Sequence, residues 1–294
     1  RVPVGWLLAL LSGLVGGTLR LLWSVAWRAG LVAGLALGAL VAWTASTLPP
    51  VSELVDGRAR GSVTLLDREG APFAWRGDQF GGMVTADEVS PFLRNAVVAT
   101  EDRRFRLHPG IDPQGVASAM RINLSEGRKP WSGNGGSTIT QQTAKLLCLG
   151  TPFDPEAWDS EADYEADCRR TTLARKAQEA VYALAMEWAY SKDEILTIYL
   201  NRAYLGAGTR GFEAAAQRYF GHGAAEVSAP EAAMLAGLLK APTTFAPTND
   251  LARSQSRAGV VVGLMEEQGY LSAEEARAAR ANPATLAPSA AAGS

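Results

Sequence analysis

The sequence predicts a mainly α-helical domain behind one membrane-spanning helix, and three observations carry that reading. An uncharged run of 20 residues, Ala29 to Leu48, stands near the N-terminus. From about residue 90 to 281 the apolar residues recur at helical spacing. Gly/Pro breaks near 109–115, 127–136, 150–155, 205–211 and 241–247 cut that stretch into helix-sized pieces. Charge argues against one class of partner. With 28 Lys+Arg against 30 Asp+Glu, the net charge of −2 offers no basic face for a nucleic acid.

The N-terminal elements come first. Residues 29–48 are long enough to cross the roughly 30 Å hydrocarbon core as a helix. Arg20 and Arg28 precede the run, and Glu53 and Asp56 follow it, so the positive-inside rule puts the rest of the chain outside the cytoplasm. A cleaved signal peptide is the competing reading, but no clear A-x-A site follows. Residues 1–28 form a cytoplasmic or interfacial segment, in which Val4 to Leu19 is an interfacial helix or a second span. Pro49 and Pro50 open a linker over 49–60, and SVTLLD (62–67) followed by REG predicts a strand and turn. The domain proper covers 61–281; residues 282–294 are a flexible tail or the start of a linker to a further domain.

VVATEDRRFRLHPG (97–110) is the first stretch with chemistry. Projected at about 100° per residue, Val98 and Phe105 point the same way, with Glu101 and Asp102 on either side of them. A carboxylate bordering a buried stripe is partly desolvated, which raises its pKa toward that of a useful general base. A structural acid paired with Arg103, Arg104 or His108 reads the same residues equally well.

The second stretch, GNGGSTITQQTAKLLCLG (133–150), feeds three glycines into Ser137 and Thr138, either of which can cap a helix. On that helix Thr138, Gln142 and Lys145 share a face, a ready anion site with a cation two turns on. The third, TTLARKAQEAVYALAMEWAYSKDEILTIYLN (171–201), predicts a helix with Leu173, Ala177, Val181, Leu184 and Trp188 on its buried side. Arg175 and Glu179 are spaced to pair at i,i+4. Cations in a first turn oppose the helix dipole, so Arg175 and Lys176 there suggest an anionic ligand. Ser191 with Glu194 predicts a capping box for the next helix.

EDRRFRLHPG (101–110), GGSTITQQTAK (135–145), RKAQE (175–179), KDEILTIYLN (192–201) and RGFEAAAQRYFG (210–221) together resemble the successive motifs of the peptidoglycan glycosyltransferases. These are the transglycosylase domains of class A penicillin-binding proteins and their monofunctional relatives. The resemblance implies a lysozyme-like, two-lobed helical fold. It also implies a bacterial cytoplasmic (inner) membrane protein, single-pass, with its catalytic domain on the periplasmic or extracellular side. The implied substrate is lipid II and the growing glycan strand, polymerised with release of polyprenyl pyrophosphate and inversion at the anomeric carbon. Glu101 is then the general base and Glu179 the second carboxylate. Lys145 and Arg175 clamp the pyrophosphate, with Asp102, Phe105, His108, Ser137, Thr138 and Gln142 as substrate-binding neighbours. A divalent metal (Mg or Mn) arrives with the pyrophosphate and meets Glu179, and other cell-wall synthesis proteins are possible partners. A glycan-cleaving hydrolase of similar fold and an inactive membrane scaffold are the alternatives. No S-x-x-K or K-T-G occurs in this chain, so it carries no transpeptidase motif of its own.

Two departures from the family pattern stand out. Leu146 occupies a position usually held by Asn. The segment 149–167 is long against the family pattern and holds seven acids with no Lys or Arg, which predicts a solvated surface loop. It is bracketed by Cys148 and Cys168, the two cysteines of the chain. Outside the cytoplasm these predict a disulfide, with two buried free thiols as the alternative.

Overall fold

The computed structural model describes residues 4–55, 63–66, 68, 72–76, 79–80, 82–130, 135–170 and 172–288. Helix α1 runs from Val4–Ser46 without interruption. The boundary expected near residue 28 is absent: Arg20 and Arg28 lie within one helix about 65 Å long at 1.5 Å per residue. The reason is local. No proline occurs before Pro49 within this helix, and isolated glycines weaken a helix without ending it. Its Gly16–Ser46 portion is apolar and long enough to cross a membrane, and is the one such helix among the described residues.

After Pro49 and Pro50 a short α2 (Val51–Val55) follows. Two contacts hold this connection against the domain: the Tyr190 hydroxyl donates to the Pro49 carbonyl at 2.5 Å, and Arg202 Nε to the Leu54 carbonyl at 2.6 Å. The expected strand is β1 (Val63–Leu66), paired antiparallel with β2 (Pro72–Arg76). β3 (Gln79–Phe80) pairs in parallel with β4 (Thr209–Arg210), a far shorter sheet than its sequence separation would suggest.

The rest is helical: α3 (Pro91–Glu101), α4 (Pro113–Ser125), α5 (Ile139–Leu146), α6 (Glu161–Cys168), α7 (Leu173–Ala189) and α8 (Lys192–Arg202). α9 (Phe212–Phe220), α10 (Ala229–Leu238), α11 (Pro242–Phe245), α12 (Leu251–Glu267) and α13 (Ala273–Ala281) complete it. α3, α10 and α12 pack on one another, and α5 packs on both α7 and α8. α8 is buried from Ile195 through Asn201, which is why its sequence is apolar on more than one face. α4 stands apart, burying only Ala119 and Asn123.

Two expectations change. The stripe predicted as the buried side of α7 turns outward: Leu173 is 93% and Trp188 77% exposed, while Glu179, Tyr182, Ala183, Ala185 and Met186 are buried. α7 packs against α1, and Ala177 and Val181 face a cavity beside it. An apolar stripe directed at a membrane anchor has the same period as one directed at a core. The acidic segment is also more than a solvated loop. Ser160 caps α6, whose Tyr164 packs on Cys148, Cys168 and Trp158. Cys148 and Cys168 are joined as a disulfide, Cα to Cα 5.1 Å.

Candidate active site

Helix α3 stops at Glu101 because Asp102 leaves helical geometry, at φ −158° and ψ 77°. The Asp102 carboxylate instead accepts the Ile139 N–H at 3.0 Å and lies 3.0 Å from His108 Nε2. It thereby anchors the end of α3 to the positive N-terminus of α5. The helical projection through Phe105 therefore fails after Glu101, and Phe105 opens a separate 3₁₀ turn, Phe105–Leu107. Phe105 is fully buried all the same, with Lys192 Nζ 4.6 Å from its ring centre. Asp102 and His108 are buried too. These three residues, expected to bind substrate, are all buried against protein partners.

His108 Nδ1 accepts the Gly110 N–H at 3.2 Å, which leaves the ring proton on Nε2 facing Asp102. Asp112 takes Arg104 at 2.7 Å and the Gly115 N–H at 3.0 Å. Asp102, His108 and Asp112 bring their ligand atoms within 4.8 Å of one another, the one such group among the described residues. Both His108 nitrogens are already engaged, by Asp102 and by the Gly110 N–H, so the group does not fit a metal held by the protein alone.

Glu101 itself is half-buried at the end of α3. Gln142 Nε2 donates to its Oε2 at 2.7 Å, and the Tyr199 hydroxyl donates to Gln142 Oε1 at 3.3 Å. Burial pushes the Glu101 carboxyl above its ordinary value, opposed by the Gln142 hydrogen bond and by the charges of Arg257 and Lys240. Burial also lowers the Arg257 pKa, and its buried Nε has no hydrogen-bond partner. Tyr199, fully enclosed, has its phenol pushed well up by burial.

A second cluster joins α5 and α7. Lys176 Nζ reaches Ser137 Oγ at 2.9 Å and forms an ion pair with Glu179, which is 6% exposed. The expected Arg175–Glu179 pair does not form. Lys176 takes the carboxylate at i,i+3, and Arg175 Nη2 turns to Cys148 Sγ at 3.6 Å. Thr138 is likewise committed: its hydroxyl donates to the Gly110 carbonyl at 2.6 Å and accepts the Gln141 N–H at 3.1 Å in a full capping box. Gln142 faces Glu101 while Lys145 is exposed, so the row Thr138, Gln142, Lys145 is not one anion-facing surface. Leu146 packs against the core. The Ser191–Glu194 capping box is present on α8.

Sequence reasoning named Lys176 but left it off the site, and missed Tyr199, Lys240 and Arg257. Tyr199 lies inside the fourth motif, which could have flagged it. Lys240 and Arg257 carry no local signal, since only the packing of α10 and α12 on α3 brings their charges toward Glu101.

Residues 70–266, more than half of the chain, match the family described as Transglycosylase. Penicillin-binding protein 1A of Aquifex aeolicus is 38% identical over 84% of this chain and 29% of its own length. Penicillin-binding protein 1A of Escherichia coli is 36% identical over 78% of this chain and 24% of its own. The chain thus spans about a quarter of the length of these relatives. A 2.6 Å crystal structure of penicillin-binding protein 1A from Haemophilus influenzae aligns with a TM-score of 0.43 at 23% identity, covering 78% of this chain and 21% of that one. On the strength of the family match and the sequence relatives, the chain belongs to the Transglycosylase family, in the form found in class A penicillin-binding proteins.

Proposed function

We propose that this membrane-anchored chain polymerises lipid II into glycan strands, with Glu101 as the general base. The acceptor sugar hydroxyl gives its proton to Glu101 as its oxygen attacks the donor's anomeric carbon. The bond from that carbon to the pyrophosphate breaks, and polyprenyl pyrophosphate leaves with the electron pair. Attack opposite the leaving group inverts the centre. The leaving group is already a good one, so the site's task is to activate the hydroxyl and neutralise growing negative charge. The observation that carries this reading is Glu101: a half-buried carboxylate, held by Gln142 and raised in pKa by burial.

Lys176 and Ser137, with Arg175 and Lys145 nearby in sequence, supply the charge and hydrogen bonds for the pyrophosphate. Glu179 holds Lys176 in position. Transglycosylases depend in general on a divalent cation. Such a cation would enter with the pyrophosphate, on the Lys176–Glu179 side of the site. The anchor places the catalytic domain on the outer face of the bacterial cytoplasmic membrane, following the charges that flank it. Residues 29–48 are the spanning part and 61–281 the catalytic domain.

Incubating the protein with lipid II and Mg²⁺, then separating products by length, tests this. Glycan ladders with released polyprenyl pyrophosphate support it. Cleavage of finished strands without use of lipid II would make the protein a hydrolase instead.

A further inference from the structure

A cavity of about 1150 Å³ lies between the C-terminal end of α1, the disulfide-closed segment and α7. Leu40, Trp43 and Leu48 of the anchor, Leu149 and Phe153 after the first cysteine, and Val181 of α7 form its apolar wall. None of Glu101, Gln142, Ser137, Lys176 or Glu179 lines it. Arg175 does, one residue before the Lys176 that reaches Ser137 and Glu179 on the other side. Glu165 is the wall's one carboxylate among the described residues, and it is already paired with Arg169 and Arg210.

We propose that this cavity receives the polyprenyl tail of the diphosphate-bearing donor. The proposal rests on the reading of the α7 N-terminus as the pyrophosphate site. Three features of the cavity favour a tail. Its volume exceeds the roughly 300–1,000 Å³ usual for small-molecule pockets, which suits a long chain better than a headgroup. The apolar side chains on its wall would gain by being covered with hydrocarbon. It runs from a cation of the pyrophosphate turn to the flank of a helix that a bilayer surrounds, the path a membrane-bound tail must take from its diphosphate. The outward-turned stripe on α7 is thereby explained, since Ala177 and Val181 face this space. Part of the wall belongs to the acidic, disulfide-closed segment, so this chain's own departure from the family pattern shapes its hold on the tail.

The test uses the full membrane-anchored protein with two lipid II donors, one carrying the full-length polyprenyl tail and one a tail too short to enter the cavity. Val181→Trp fills the space, and Phe153→Asp places a charge on its wall at a position 37% exposed, where folding tolerates it. Both variants should raise KM for the long-tailed donor about tenfold, the effect of losing burial of one sizeable apolar group. KM for the short-tailed donor should stay within about twofold, on the same burial argument. Should Val181→Trp not fold, Phe153→Asp carries the comparison alone. Equal changes for both donors, or no change for either, would overturn the tail assignment. So would an unchanged KM with loss of a co-purifying phospholipid, which would give the cavity to a bilayer lipid. A wild-type protein that polymerises neither donor would overturn the proposed function itself, a result distinct from these.

Discussion

Gln142 donates from Nε2 to Glu101 Oε2 at 2.7 Å, which fixes one oxygen of the proposed base. The ionised carboxylate can only accept, so it turns the amide nitrogen toward itself, and the buried Tyr199 hydroxyl supports that orientation by donating to Gln142 Oε1 at 3.3 Å. The sequence suggested Gln142 as a substrate contact; its side-chain nitrogen is bonded to Glu101.

Tyr199→Phe removes that support while keeping the ring in the core. A neutral hydrogen bond is worth about 0.5–1.5 kcal/mol, so kcat should fall roughly 2–10-fold with KM little changed. Steady-state kinetics checks this, and an unchanged kcat would show that the amide needs no such guide.

Lys176 joins Ser137 to Glu179, and removing it leaves a carboxylate that is 6% exposed without its partner. Lys176→Met should lower both Tm and polymerisation, since an unpaired buried charge is costly. Adding Glu179→Gln should restore Tm but not activity. Recovery of activity in the double variant would reduce the pair to a structural ion pair.

The Cys148–Cys168 disulfide closes a segment with a sequence separation of 20. On the chain-entropy argument, cutting it costs about 3 kcal/mol. Cys148→Ser with Cys168→Ser should therefore melt several degrees lower than wild type, by calorimetry without reductant. Equal Tm values would mean that α6 and the Tyr164 cluster hold the segment without the bridge.

Burial holds the Glu101 carboxyl above its ordinary value of 4.5, and the sign of the pH effects follows. The base must be ionised, so the acid limb of the rate profile should have its midpoint above 4.5. The folded state binds this proton more tightly than the unfolded chain does. Its stabilising contribution is complete below 4.5 and is lost as pH rises through the raised value. Glu101→Gln should accordingly match wild type in Tm at acid pH and equal or exceed it at neutral pH. A lower Tm at neutral pH alone would contradict the desolvated environment.

Much of this site was legible because its chemistry sits in short, ordered stretches. Glu101 borders the apolar end of α3, and Glu179, Lys176 and Arg175 share one turn of α7. What the sequence misled on has physical causes. Phe105 was projected along a helix that ends when Asp102 turns its carboxylate to the Ile139 N–H and His108. Thr138 looked like an anion ligand because a cap and a ligand demand the same hydroxyl. The i,i+4 spacing of Arg175 and Glu179 could not reveal that Lys176 and Ser137 compete for the same space. The outward turn of Leu173 and Trp188 was hidden, since periodicity reports that a face is apolar and not what it faces. Arg257 and Lys240 approach Glu101 through tertiary packing alone.

The central claim is that Glu101 removes the acceptor's proton, and polymerisation by Glu101→Gln tests it most directly. The substitution keeps the side chain's size and an oxygen for Gln142 to donate to, so fold and lipid II binding should persist. With equal protein, lipid II and Mg²⁺, followed by separation of glycan products by length, the variant should polymerise about 10²–10⁴-fold more slowly than wild type. Polymerisation above about a tenth of the wild-type rate would contradict the assignment, because loss of a general base does not leave that much activity.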